Sequence, residues 1–481
     1  MKHAGETKPL RFFHPLNWNN VMKLHFLLKI LSVGLLLASC KSTGHKSSEF
    51  SSIEVSGSAS TLHQLIVADL QKGFPSSKGT VWFESKMQLS PEWLVESPKD
   101  IWGRAEETLP KDVECKAGAA NCDKQFTRYL CSTDSDCANH NTSCLPLEAS
   151  VAKAGQAPRK MCLGASDSLL DRFYRVITSA DKHLDITTLS LPTGRFYPML
   201  VNALATLSHK NPVPTIRILT AGKASKSFNA LNQPQDQVNA LAADISKAGG
   251  KMDTLRIDFG FLSSMSALSW NHSKIIIADS NRVLQGGHNF YDPDYLEDHP
   301  VFDLSMEFAG PAATGVQSFV NNLWSIGKLS LAPFGRYPYK GGLDVLKPSS
   351  WAPMEVPSLQ PTTRGQISMI GVGRLGSFGD NASDLAFLSL IRNAKRSIYI
   401  AQEDIFSKIP LTGVKDVQKL LKMNQSAALP TLVDAILDGK TVRIAQTDQA
   451  GDGLDGYGMM NAPEAQTYIV AALVNRAKER N

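Results

Sequence analysis

The chain has 481 residues, 43% hydrophobic and 20% charged, an ordinary globular composition with length for more than one compact core, which excludes wholesale disorder, collagen and coiled coil. The formal net charge is +5, but residues 1–39 carry Lys2, Lys8, Arg11, Lys23 and Lys29 against the single acid Glu6. That leaves +1 for residues 40–481, so no global field attracts nucleic acid, although a local basic cleft is compatible with the charge.

In chain order, residues 1–39 read as a targeting signal. From Met22 a basic stretch precedes the apolar run Ile30 to Leu37, too short to span a bilayer as a mature helix. A complete signal begins at Met22, so residues 1–21 read as an extension ahead of the true start. Leu37-Ala38-Ser39-Cys40 resembles a bacterial lipoprotein box, in which the cysteine is diacylated and becomes the new N-terminus; an ordinary secretory signal ending in cysteine is the alternative. The lipoprotein reading expects export and anchoring at Cys40, at the outer membrane where there are two, because Lys41 is not the aspartate of inner-membrane retention. Residues 40–60 form a Ser-rich tether and 61–114 an N-terminal segment. Residues 115–165 hold Cys115, Cys122, Cys131, Cys137, Cys144 and Cys162. Their even number and the export signal predict three disulfides, with pairing left open. A zinc site competes poorly, since no CxxC occurs and His140 is the nearby histidine. The module has too few apolar residues for a core of its own.

Beyond it the pattern is α/β. Leu169 to Ser179 and Phe196 to Leu207 have helical periodicity, whereas Leu184 to Leu189 and Thr215 to Leu219 read as strands. Residues 166–332 form a first lobe, and the Pro- and Gly-rich stretch 333–365 reads as a linker. Residues 366–481 then repeat the first lobe. Ala180 to Thr187 aligns with Ala394 to Ala401, Leu200 to Leu204 with Leu432 to Ile436, and Thr215 to Ile218 with Thr441 to Ile444; Asn232-Gln-Pro234 aligns with Asn461-Ala-Pro463.

The chemistry is concentrated in Asn271-His272-Ser273-Lys274-Ile275-Ile276-Ile277-Ala278-Asp279, then Ser280-Asn281 and Arg282 to Asn289. The β-branched run and turn residues predict a hairpin, with His272 and Lys274 on one face of a strand. An imidazole beside an ammonium suits a phosphate: the ring attacks phosphorus or protonates a leaving oxygen, and the lysine stabilises the non-bridging oxygens. Gly286 and Gly287 permit close backbone approach, and Asn289 offers an amide donor. His288, at the variable position between them, is expected to face away.

These residues resemble the phospholipase D superfamily signature, HxKxxxxD followed by GGxN, and the segment from Phe302 through Gly310-Pro311 to Trp324 is similar to the strand and helix that follow it there. The resemblance covers roughly residues 166–481. It implies α/β/α sandwich lobes and a phosphodiesterase that needs no metal or other cofactor. One histidine forms a phosphohistidine, a second motif's histidine acts as acid, and two lysines clamp the phosphate. His272, Lys274, Asp279 and Asn289 take the first motif's positions, Asp279 supporting the site rather than attacking.

No histidine follows His299. Counting from Ile216 and Val442, or from Asn232 and Asn461, puts a second-motif histidine near 498 or 501, so the reading expects an incomplete second lobe and a separately encoded second half-site. The expected substrate is a phosphatidyl lipid at a membrane surface, ahead of nucleic acid. A nuclease or phosphatidyltransferase, and a catalytically dead surface lipoprotein with a binding role, are the alternatives.

Overall fold

The computed structural model describes residues 62–90, 92–99, 113–116, 118–221, 234–262, 271–297, 300–329, 336–340, 344–345, 367–402, 405–406, 425–446 and 460–480. The signal segment, Cys40, the tether and most of the 333–365 stretch lie outside them.

The strands in chain order are β1 (Trp82–Met87), β2 (Leu94–Ser97), β3 (Cys122–Asp123), β4 (Arg128–Tyr129), β5 (Cys144–Leu147), β6 (Arg159–Cys162), β7 (His183–Thr187), β8 (Thr215–Thr220) and β9 (Arg256–Phe261), then β10 (Ile275–Ala278), β11 (Arg282–Gly286), β12 (Asp303–Ala309), β13 (Arg336–Lys340), β14 (Asp344–Val345), β15 (Ile367–Val372), β16 (Ser397–Gln402) and β17 (Thr441–Gln446). The helices are α1 (Leu62–Gly73), α2 (Ser168–Thr178), α3 (Phe196–Leu207), α4 (Pro234–Lys247), the single turn α5 (Asp292–Tyr295), α6 (Ala312–Leu329), α7 (Ala382–Asn393), α8 (Gln425–Leu437) and α9 (Ala462–Arg480).

A nine-stranded sheet runs β14-β13-β9-β8-β7-β10-β11-β12-β2. β7, β8 and β9 are parallel, as crossovers through α3 and α4 require, and the hairpin β10–β11 continues antiparallel from β7. Alternation along β10 sorts its residues between two cores. Ile276, with Leu284 of β11, joins the core of α2, α3 and α4; Ile275 and Ile277, with Val283, join that of α6, α1 and α7. The result is an α/β/α sandwich. Among the described residues no helix is long and apolar enough to cross a membrane.

Two segments do more than their composition foretells. β13, inside the stretch read as a linker, pairs with β9 from Arg336↔Gly260 to Lys340↔Arg256. Pro338 is tolerated because β14 reaches only Tyr339 and Lys340, leaving the rest of β13 as an edge. The N-terminal segment, in turn, supplies the edge strand β2 and the strand β1, which pairs antiparallel with β15.

The cysteine module consists of the hairpins β3–β4 and β5–β6 and is cross-linked Cys115–Cys122, Cys131–Cys144 and Cys137–Cys162. Its own core is small, Val113 with Cys137, Cys144 and Cys162; Phe126, Leu147 and Met161 are buried in the first lobe's core instead. Farther along, β16 and β17 form a parallel pair with a core drawn from α7, α8 and α9.

Candidate active site

The site is built from the segment that leads into β10. Asn271 is buried, and its side-chain amide donates to the carbonyls of Thr188 and Leu219 (3.1 and 3.2 Å), closing the ends of β7 and β8. The Ser273 hydroxyl donates to Asn271 Oδ1 at 2.5 Å and lies within hydrogen-bond distance of the Thr187 hydroxyl at 2.8 Å. His272 is thus held between two anchored neighbours, with its own side chain open to solvent. The strand itself begins only at Ile275, so His272 and Lys274 sit in the extended lead-in rather than on the strand as the alternation predicts. Lys274 Nζ folds back to the His272 carbonyl at 2.9 Å. The protein mass around the ring and then the Lys274 ammonium push His272 down to about 4, so that the imidazole is neutral at neutral pH.

Asp279 stands apart from this pair. It lies at the other end of β10, roughly 16 Å along the strand from Lys274, in a left-handed conformation (φ 55°) followed by Ser280 (φ 52°). The turn's left-handed residues are therefore Asp279 and Ser280, not the Ser280-Asn281 pair marked out by composition. The Asp279 carboxylate accepts the backbone N–H groups of Asp181, Lys182 and His183 at 2.9, 2.7 and 2.9 Å. It secures the start of β7 against the hairpin, a supporting role well away from any phosphate at His272.

The GGxN segment closes the opposite side. A Cβ on Gly286 would collide with Leu304 and Ser305, and one on Gly287 with the Asp303 carboxylate, so the close approach these glycines permit is to β12. His288 is buried between Ser305 Oγ (2.7 Å) and Ser97 Oγ (3.1 Å); burial pushes it down to about 4 against the pull of Asp303. It is a satisfied core histidine. Asn289 Oδ1 is buried with no hydrogen-bond partner, and the residue's backbone N–H donates to the Tyr295 hydroxyl at 3.0 Å. That hydroxyl donates to Asp303 Oδ2 at 3.0 Å. A narrow cleft beside Lys274 is lined by Thr187, Thr188, Gln285, Phe290 and Ser305. Asp294 on α5 is raised by burial and by Asp303, and lowered by Lys274.

Asn271, Tyr295 and Asp303 carry no role in the sequence reading. Asn271 borders the histidine, a signal within reach; the hydroxyl-to-carboxylate contact depends on how α5 folds back on β12 and has no local signature. Cys40 lies outside the described residues. The six other cysteines are paired as described above, which leaves no free thiolate among them for the zinc alternative.

No protein-family model matches this chain. A phospholipase D of Streptomyces antibioticus is 27% identical over 330 residues, covering 60% of this chain and 57% of that protein, so the chain spans little more than half of its relative. Among solved structures, it is similar to Nuc, a phospholipase D family member of Salmonella typhimurium (TM-score 0.23, 16% identity, 34% of this chain and 86% of that one). It is likewise similar to a phosphatidylserine synthase of Haemophilus influenzae (TM-score 0.38, 14% identity, 71% of each chain).

Proposed function

Because the chain belongs to the phospholipase D superfamily, we propose that it contributes the nucleophilic half of a phosphodiesterase site acting on phosphatidyl lipids. The observation that carries this is a neutral, solvent-open imidazole at His272 with the Lys274 ammonium folded against its backbone. In this reading a neutral ring nitrogen of His272 attacks phosphorus and displaces the alcohol, forming a phosphohistidine; water then attacks that phosphorus and regenerates the ring. Lys274 and the Asn289 amide hold the non-bridging oxygens as charge builds on them. The leaving oxygen needs a proton, and a ring that acts as the nucleophile does not supply it. Residues 300–481 contain no histidine, so the reading assigns the acid to a complementary half-site outside them.

Phosphatidyl lipid is preferred over nucleic acid for two reasons: residues 40–481 are nearly neutral overall, and the Leu37 to Cys40 box supports anchoring of the exported chain to a membrane. The test is hydrolysis of phosphatidylcholine vesicles against DNA, with and without chelator, on the wild type and on His272→Ala. The expected result is chelator-insensitive, lipid-directed activity once a complementary half-site is supplied, reduced at least 10²-fold by the substitution. Near-wild-type turnover by His272→Ala would sink the assignment, as robust DNA cleavage would sink the substrate. Mass spectrometry of the mature N-terminus checks the acylated Cys40.

A further inference from the structure

Between Cys122 and Cys131 the disulfide module sends a charged side chain into the first lobe. Arg128 is fully buried, its guanidinium paired with the Asp167 carboxylate at 3.0 and 3.1 Å and donating to the Leu296 carbonyl at 2.8 Å. Asp167 also accepts from Arg195 at 3.0 Å. Arg195 donates to Asp292 twice, from Nε at 2.7 Å and from its backbone N–H at 2.8 Å, and it too reaches the Leu296 carbonyl. Four buried charges alternate in sign, and loss of either inner member, Asp167 or Arg195, strands the end charge it pairs with, Arg128 or Asp292. Gly194 delivers Arg195 into this chain at φ 55°, where a Cβ would collide with Asp292.

The network ends on the Asp292 side chain and the Leu296 carbonyl, and these bracket Tyr295. Tyr295 is 2% exposed, and its ring lies against His288 with centroids 4.9 Å apart. Its hydroxyl joins the Asn289 backbone to the Asp303 carboxylate. Docking of the module does not require a buried cation, because Phe126, Leu147 and Met161 already hold it to the lobe. We propose that Tyr295 is a positioning residue that fixes the Asn289 loop and Asp303 beside His272 and Lys274, and that Arg128 sets Tyr295 through Asp167, Arg195 and Asp292. The disulfide module is then a brace for the site. What the aligned residues hold rests on the functional reading above; the alignment itself does not.

Tyr295→Phe in the full chain keeps the ring and removes the hydroxyl, which separates positioning from packing. The first readout is hydrogen exchange at the Asn289 amide, and the second is titration with inorganic phosphate followed through the His272 imidazole resonances. Tyr295→Phe is expected to speed Asn289 exchange roughly five- to tenfold and to weaken phosphate binding by a similar factor, with the unfolding midpoint near wild type. Arg128→Lys keeps the charge but loses the fork; it should shift both readouts in the same direction while thiol titration finds the three disulfides intact. Unchanged Asn289 exchange in both variants overturns the proposal, as does faster exchange spread evenly over the first lobe. If the wild type does not respond to phosphate, the functional reading fails, and the exchange measurement still decides the positioning role.

Discussion

Two parallel strand pairs in this molecule share a register and differ in what surrounds them. β7 and β8 place His183 opposite Thr215 and Asp185 opposite Arg217; β16 and β17 place Ser397 opposite Thr441 and Tyr399 opposite Arg443, at the positions that align as an internal repeat. Every residue of β7 is buried, whereas in β16 only Ile398 is, and Tyr399 is 67% exposed. The first pair lies between β9 and β10 and under α6, which supplies Gln317 to Asp185 (2.6 Å) and Asn321 to Arg217 (2.8 Å) and sets Trp324 over the guanidinium. The second pair has helices on one face and, among the described residues, no strand beyond either edge. Parallel sheets are ordinarily covered on both faces. A short sequence pattern therefore suffices to pair two strands in register, but burial of the pair is conferred by elements that arrive from elsewhere in the chain.

The sharpest way to break this comparison is to remove the equivalent arginines. Arg217→Met leaves the buried Asp185 carboxylate uncompensated, and chemical denaturation should show a loss of about 3–5 kcal/mol. Acidification separates the two regions next. His183, His272 and His288 are all lowered by burial, His272 and His288 to about 4, while residues 300–481 have no histidine. The unfolded chain then binds more protons than the folded one between about pH 6.5 and 4, so the histidine-linked stability is full above pH 6.5 and is lost as pH falls through that window. For His288 alone the loss is on the order of 3 kcal/mol. Hydrogen exchange against pH should show the first lobe's sheet opening in that range before β16 and β17 respond, and His288→Asn should flatten the profile.

Asp279→Ala comes third. It removes an ionised acceptor from three backbone N–H groups at the start of β7, and a loss of about 1.5–3 kcal/mol in thermal unfolding is expected. The smallest effect belongs to Arg443→Met. Its partner is the exposed Tyr399 ring, 5.8 Å from the guanidinium, and the change should cost less than about 1 kcal/mol by the same denaturation assay. Equal losses for Arg217→Met and Arg443→Met would refute the idea that covering layers, rather than pairing, distinguish the two regions.

Local chemistry explains which features were legible in the sequence. The α3 bounds match the helical pattern, and the β10–β11 hairpin follows from its β-branched run and turn. Features assembled from distant segments left no such trace. β13 is spaced like a linker because Pro338 and the surrounding glycines obscure an edge strand whose partner lies some 80 residues earlier. His272 and Lys274 follow strand alternation in sequence, yet Asn271 ties the segment to the ends of β7 and β8 before the strand begins. The four-charge network was illegible for a different reason: Arg128, Asp167, Arg195 and Asp292 each look like ordinary solvated residues until the fold buries them together.

The meeting of α1 with α7 sets a timetable for synthesis. Ile66 and Leu70 are covered by a cluster that includes Ala382, Leu385 and Ala386, and a Cβ at Gly73 would collide with Leu385, so the two helices are in close contact. Those partners emerge from the ribosome about 300 residues after α1, a delay of roughly 15–60 s at ordinary elongation rates. A 12-residue helix is marginal by itself in water. During that interval the nascent chain carries an apolar segment without its cover, and the yield of native protein becomes a contest between elongation and self-association, one that slower translation or scarce holdase chaperones would tip toward aggregation.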